Sequence, residues 1–216
     1  MPECFKELLN LNTHIVVWKI NESESELAKG LELSKEALTR LSQRRSIIHR
    51  KGYLAIRKLL RSHDIDPLIH KYDKNGAPYL TDGRYLSISH TKDVAAIAIS
   101  SQPVGIDLEH YQEKIIRIAS RFLHLEESLD LNKNTNIHYL TQIWTAKEAL
   151  YKVFRKPGIN FGTQLCIETL ESNTKEGIGL VFYKNTIKKY NLHFRYFDNF
   201  CLSLAITCES LEPHQP

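Results

Sequence analysis

The stretch "VGIDLEH", Val104–His110, sets two acids, Asp107 and Glu109, one residue apart in an otherwise apolar run. Side chains at i and i+2 of a strand leave the same face, so both acids point one way while Ile106 and Leu108 point into a core. Two adjacent carboxylates repel. A hard divalent ion such as Mg2+, which takes oxygen ligands and keeps several waters, offsets that repulsion. A strand end whose acids reach solvent or pair with Lys and Arg accounts for the same spacing.

Outward from this strand the pattern is mixed. "DKNGAPYLTDGRYLSISHTKDVAAIAIS" (73–100) reads as turn, strand, turn, strand: Asn75-Gly76 and Asp82-Gly83 are turn signals, "YLSISH" alternates, and "VAAIAIS" is a small-residue apolar strand. "HIVVWKI" (14–20) is β-branched and reads as the first strand. "LSKEALTRLSQRRSIIHRKGYLAIRKLLRSH" (33–63) has helical apolar spacing, many basic residues and a Ser34 N-cap, giving one or two helices. Gly52 within it marks either a break or a place where another backbone approaches.

Downstream, a helix is expected over "KIIRIASRFLHLEESLDL" (114–131), and another over "IHYLTQIWTAKEALYKVFRK" (137–156), stopped by Pro157-Gly158. From "LCIETLES" through "YNLHFRYFDNFCLSLAITCES" the period is two, as in an antiparallel sheet. "DVAAIAIS" and "FCLSLAITC" are similar terminal strands, so each half runs strand, helix, strands. The expectation is an α+β fold of two units, 1–104 and 105–216.

A chain of 216 residues with 42% hydrophobic and 25% charged residues can bury a core without a metal or disulfide, which excludes general disorder. A net charge of +4 and a pI near 8.8 suit an acidic partner or phosphorylated ligand and do not require nucleic acid. Cys4, Cys166, Cys201 and Cys208 have neither C-x-x-C spacing nor a nearby His pair, so no zinc finger or disulfide framework is expected. The N-terminal ten residues carry no apolar leader, and no run approaches the roughly 18 apolar residues of a membrane helix. Reduced thiols and this pattern predict a cytoplasmic protein.

Three further groups carry possible chemistry. Glu148 and Lys152 in "WTAKEALYK" share a helix face, as ordinary surface i,i+4 pairs also do. Glu126 and Glu127 in "RFLHLEE" suit a helix start. Ser87, Ser89 and His90 in "SISH" can bind phosphate, or be structural. A hydrolase triad is set aside, because adjacent strand residues face opposite ways and no GxSxG elbow is present.

Taken in order, "GAPYL", "SISHT", "GIDLE", "RFLHLEE" and "WTAKEALYK" resemble the 4′-phosphopantetheinyl transferase superfamily, specifically its longer, monomeric members that service carrier proteins. The resemblance implies two α+β halves related by a pseudo-twofold with the active site between them. It implies transfer of the phosphopantetheine arm of coenzyme A to a serine of an apo acyl or peptidyl carrier protein. Mg2+ would be held by Asp107, Glu109 and an acid after Arg121-Phe122, Glu127 by distance with Glu126 its rival. Glu148 matches the base that takes the serine proton, and Lys152 and Lys147 match lysines on the phosphates. Ser89 and His90 match the pair at the nucleotide end. Arg44 and Arg50 lie where further phosphate-binding arginines fall, with Lys51 an alternative.

The family's Gly-Lys-Pro loop reads Gly76-Ala77-Pro78 here, so one lysine is missing, and Lys74 or Arg84 is its candidate replacement. The expected partners are coenzyme A and the carrier, whose acidic helix would dock on the basic face of a monomer, with no nucleic acid and no membrane. The rival readings are a non-catalytic relative that binds coenzyme A or a carrier, and a Mg2+-dependent nucleotide hydrolase.

Overall fold

The computed structural model describes residues 3–9, 12–130, 132–168 and 174–208. In chain order the elements begin with β1 (Glu3–Leu9) and β2 (Thr13–Lys19), then the helices α1 (Glu24–Ala28), α2 (Lys35–Ser42) and α3 (Ile47–Ser62). Strands β3 (His70–Tyr72), β4 (Pro78–Leu80), β5 (Tyr85–His90), β6 (Val94–Ser100) and β7 (Val104–His110) follow. The remainder is α4 (Lys114–Ile118), α5 (Ile137–Phe154), α6 (Phe161–Gln164), β8 (Leu165–Glu168), β9 (Glu176–Tyr183), β10 (Thr186–Tyr196) and β11 (Phe200–Thr207). This is the expected α+β class.

Two antiparallel sheets dominate, ordered β1-β2-β6-β5 and β7-β11-β10-β9-β8, with β3 and β4 a separate ribbon. Alternation sorts the side chains into three cores. Ile15, Val17, Ala96 and Ala98 meet Ile106, Leu108, Leu202 and Leu204 between the sheets. On the outer face of the first sheet, Val16, Trp18 and Ile97 pack under Leu54, Leu59 and Leu60 of α3. On the outer face of the second, Leu192, Phe194 and Ala205 pack under Ala146 and Leu150 of α5. The order of layers is helix, sheet, sheet, helix.

The local reasons are mostly those of the sequence. Ser34 caps α2, accepting from the Ala37 amide at 3.2 Å. The basic stretch is two helices. Gly52 lies inside α3 without breaking it: a Cβ there would fall 2.7 Å from Cγ and Nδ1 of His90, so the missing side chain permits close packing.

Other expectations need correction. β1 adds a strand ahead of "HIVVWKI", pairing antiparallel with β2. The helix expected over 114–131 stops at Ile118, followed by single 3₁₀ turns at Ala119–Arg121 and Glu126–Ser128. A side chain diverts the backbone, because the Glu127 carboxylate accepts the His124 amide at 2.7 Å and the Ile167 amide of β8 at 2.8 Å. Continued helix would break both bonds. α5 ends at Phe154, with Arg155 in the left-handed region at φ 56°, two residues before Pro157. Leu131, Thr169–Ser172 and Glu209–Ser210 of the expected elements lie outside the described residues.

Candidate active site

β7 runs beneath α5, and the face it turns to the helix carries Gly105, Asp107 and Glu109. At Gly105 a Cβ would sit 2.0 Å from the Ala149 carbonyl oxygen and 2.8 Å from the Val153 nitrogen, so helix backbone rests directly on strand backbone. That seating puts Glu148 and Lys152 over the two acids. The i,i+2 reading of the strand and the i,i+4 reading of the helix therefore meet in one place.

Asp107 is 5% exposed. Its Oδ1 accepts from Ser89 Oγ at 2.8 Å and from Lys152 Nζ at 2.7 Å, while Oδ2 is buried without a protein partner. The Lys152 ammonium also donates to the carbonyls of Ile106, at 2.9 Å, and Ile88, at 3.2 Å. Burial, then the Asp107 charge, raises the pKa of Glu109. Burial pushes Glu148 up to about 7, with Asp107 and Glu109 adding to the rise and Lys152 opposing it. Three carboxylates thus cluster around the Lys152 ammonium, with Lys114 also acting on Glu109, and the buried Oδ2 of Asp107 lacks a protein donor. An all-oxygen set with excess negative charge fits a hard divalent cation.

Beside this cluster is a cavity of about 300 Å3, lined among others by Tyr72, Gly76, Pro78, Ser87, Lys152 and Arg155. Gly76, at φ 82°, closes the turn before Pro78. His90 stands at the end of β5 with Nδ1 buried and unpartnered and its ring 6.0 Å from that of His49. Burial lowers its pKa, and His49, Lys152 and Arg44 lower it further. The Arg44 guanidinium lies 4.0 Å over the Tyr53 ring. With His90 held toward its neutral form, the positive charge here comes from Lys152 and Arg44, which suits a phosphate.

Asp107, Glu109, Glu148, Lys152 and Ser89 are brought together, with Gly76 and Pro78 lining the adjoining cavity and His90 outside that lining, against Gly52 of α3. Three other residues are placed differently. Lys147 is fully buried and spends its ammonium on Glu127 Oε2 at 2.7 Å and on the carbonyls of Phe122, 2.6 Å, and Phe161, 3.0 Å. It faces the protein interior, 100° round the helix from Glu148. Glu127, expected to hold the metal, pairs with Lys147 and accepts from two backbone amides. Arg50 grips Glu24 with Nε, at 2.9 Å to each carboxylate oxygen, and with a terminal nitrogen, so it ties α3 to α1. In each case an opposite charge distant in sequence claims the side chain.

Sequence reasoning missed Arg155. Its guanidinium donates to the carbonyls of Pro78, at 2.9 Å, and Leu86, at 3.2 Å, bridging the end of α5 to the cavity wall. The helix stop was visible, but the left-handed cap that aims this side chain was not. The Ser87 Oγ accepts the Ile106 amide at 2.9 Å and so joins β5 to β7, a structural bond for this phosphate candidate. Arg84 pairs with Asp82 and is engaged locally, whereas Lys74 lies between two cavity-lining residues.

Residues 103–205 match the family model described as the 4′-phosphopantetheinyl transferase superfamily. The chain is 32% identical over 111 residues to 4′-phosphopantetheinyl transferase gsp of Aneurinibacillus migulanus, covering 49% of this chain and 47% of that one. It is 33% identical over 96 residues to 4′-phosphopantetheinyl transferase Sfp of Bacillus subtilis (strain 168), covering 43% and 42%. It is 30% identical over 103 residues to 4′-phosphopantetheinyl transferase psf-1 of Bacillus pumilus, covering 45% and 44%. The matches span a little under half the length of these relatives.

Proposed function

We propose, from the match of residues 103–205 to the 4′-phosphopantetheinyl transferase superfamily model and the 30–33% identity to named transferases, that this chain is a member of that family and moves the phosphopantetheine arm of coenzyme A onto a serine of an apo acyl or peptidyl carrier protein. The observation that carries the reading is the unpartnered Oδ2 of Asp107 amid Glu109, Glu148 and Lys152. We read the chain as two α+β units, 1–104 and 105–216, with the site between β5 and the β7–α5 pair. The protein acts as a cytoplasmic monomer.

Asp107, Glu109 and Glu148 would hold Mg2+, with Glu148 in the place expected of Glu127. The ion would supply charge neutralisation on the pyrophosphate, whose transfer depends mainly on positioning and electrostatics. Ser89 fixes the Asp107 carboxylate by donating to Oδ1. Lys152, at the border between the carboxylates and the cavity, has its three donors on Asp107, Ile106 and Ile88, so it would act on charge developing at the phosphoryl oxygens as a nearby positive charge, or by turning from the longest of these bonds, to Ile88. Glu148, ionised when the ion is bound, would accept the serine proton with the oxygen not turned to the ion, so its two oxygens allow both duties. The 300 Å3 cavity takes the nucleotide end, with Gly76 and Pro78 in its wall. His90 and Arg44 lie on the cationic side for the 3′-phosphate.

Intact-mass measurement tests this reading. Incubated with coenzyme A and Mg2+, a generic apo carrier gains the mass of one phosphopantetheine arm, and adenosine 3′,5′-bisphosphate is released. No mass gain with coenzyme A bound supports a non-catalytic relative, and coenzyme A cleavage in a carrier-free control supports a hydrolase. Either result contradicts the proposal.

A further inference from the structure

Away from the Asp107 cluster, the ligand atoms of His124, Glu126 and Cys166 lie within 4.8 Å of one another. The first two come from the turn after Phe122 and the third from β8, forty residues on, so no local sequence spacing announces the group. Cys166 Sγ is 3.8 Å from Glu126 Oε2, and Cys166 is itself buried at 1% exposure. The His124 ring is stacked on Phe182, with centroids 5.8 Å apart and planes 15° from parallel.

We propose that His124, Glu126 and Cys166 form a second metal site, specific for a borderline-soft divalent ion of the zinc type. An imidazole, a thiolate and a carboxylate are the donors such an ion selects, whereas Mg2+ takes oxygen. Tetrahedral zinc, with Zn–N near 2.0 Å and Zn–S near 2.3 Å, separates its ligand atoms by roughly 3.3–3.8 Å. The Cys166–Glu126 separation already meets that requirement, and the exposed Glu126 side chain is free to close the rest.

The site is supported from behind. Glu127 accepts the His124 amide with one oxygen and the Ile167 amide with the other, and both amides adjoin or belong to ligand-bearing residues. One carboxylate therefore holds the two ligand segments in register before any ion arrives, the role that outer groups play in metal sites. A cleft of about 190 Å3 adjoins the group on the side of Glu126 and Ile167. Because Glu127 also pairs with Lys147, the neighbour of Glu148, the bound ion braces the helix that carries the proposed base. The ion is structural, and it clamps the 124–126 turn to β8.

Cobalt(II) chloride, the spectroscopic stand-in for zinc, tests this in full-length protein carrying Cys4→Ser and Cys208→Ser, which removes the two more accessible thiols. The proposal expects one equivalent of Co2+ to produce a near-ultraviolet thiolate-to-cobalt charge-transfer band with tetrahedral d–d bands. Zinc should displace the ion, and Mg2+ should not. Cys166→Ser abolishes the charge-transfer band, while Glu126→Gln and His124→Ala weaken Co2+ binding by at least about tenfold. Glu126 is exposed, so its variant keeps the comparison meaningful should Cys166→Ser fail to fold. Absence of the band in the parent, its persistence in Cys166→Ser, or parental affinity in Glu126→Gln overturns the proposal.

Discussion

Lys152 Nζ lies 2.7 Å from Asp107 Oδ1, and the same carboxylate keeps its second oxygen buried with no donor. One ammonium cannot satisfy an acid that also adjoins Glu109 and Glu148. Asp107→Asn removes the charge while nearly preserving shape. It is expected to lower kcat/KM for arm transfer by roughly 10²–10³-fold, the scale of losing a positioned electrostatic group. Thermal unfolding checks that the variant is folded, and near-parental turnover would remove Asp107 from the chemistry.

Glu148 gives a pH signature. Its carboxyl rises from 4.5 to about 7 on folding, through burial first and then Asp107. Between those values the folded protein holds the proton more tightly than the unfolded chain, so this contribution falls as pH climbs from about 4.5 to about 7 and is constant above. His90 and His193, whose pKa values are lowered, act in the opposite sense. The difference between parent and Glu148→Gln isolates the carboxyl. Urea midpoints from pH 5 to 8 should show the variant gaining relative to the parent as pH rises, and Mg2+ should shrink that gain. A pH-independent difference contradicts the assignment.

Gly105→Ala would place a methyl 2.0 Å from the Ala149 carbonyl oxygen, within backbone that cannot step aside. The helix must lift from the strand, at a cost of about 3 kcal/mol or more. Guanidinium titration measures it. Unchanged stability would show that α5 does not rest on β7 as described.

The Lys147–Glu127 pair has side chains 0% and 2% exposed. Lys147→Met leaves a buried carboxylate unpaired and should cost about 3–5 kcal/mol, and adding Glu127→Gln should restore part of that loss. Coenzyme A affinity of the folded fraction, read by calorimetry, should stay near parental. Intact stability with lost affinity would return Lys147 to the phosphates.

Much of this site could be read from local spacing. Asp107 and Glu109 share a strand face, Glu148 and Lys152 share a helix face, and both periods survive folding because each element is regular. Lys147, Glu127 and Arg50 could not be read so, since their roles depend on partners 20 to 40 residues or an element away. The same holds for the turn at 124–127, where a side chain overrides helical periodicity. Arg155 depended on one left-handed backbone angle.

The central claim is that Asp107, Glu109 and Glu148 converge on one Mg2+ ion. Calorimetric titration of Mg2+ into the protein with coenzyme A, at about pH 6 in two buffers of different ionisation enthalpy, measures stoichiometry and proton release together. One ion per chain is expected, with protons released as Glu148 ionises and loss of binding in Asp107→Asn. Parental Mg2+ affinity in that variant, or binding with no proton release, would contradict it.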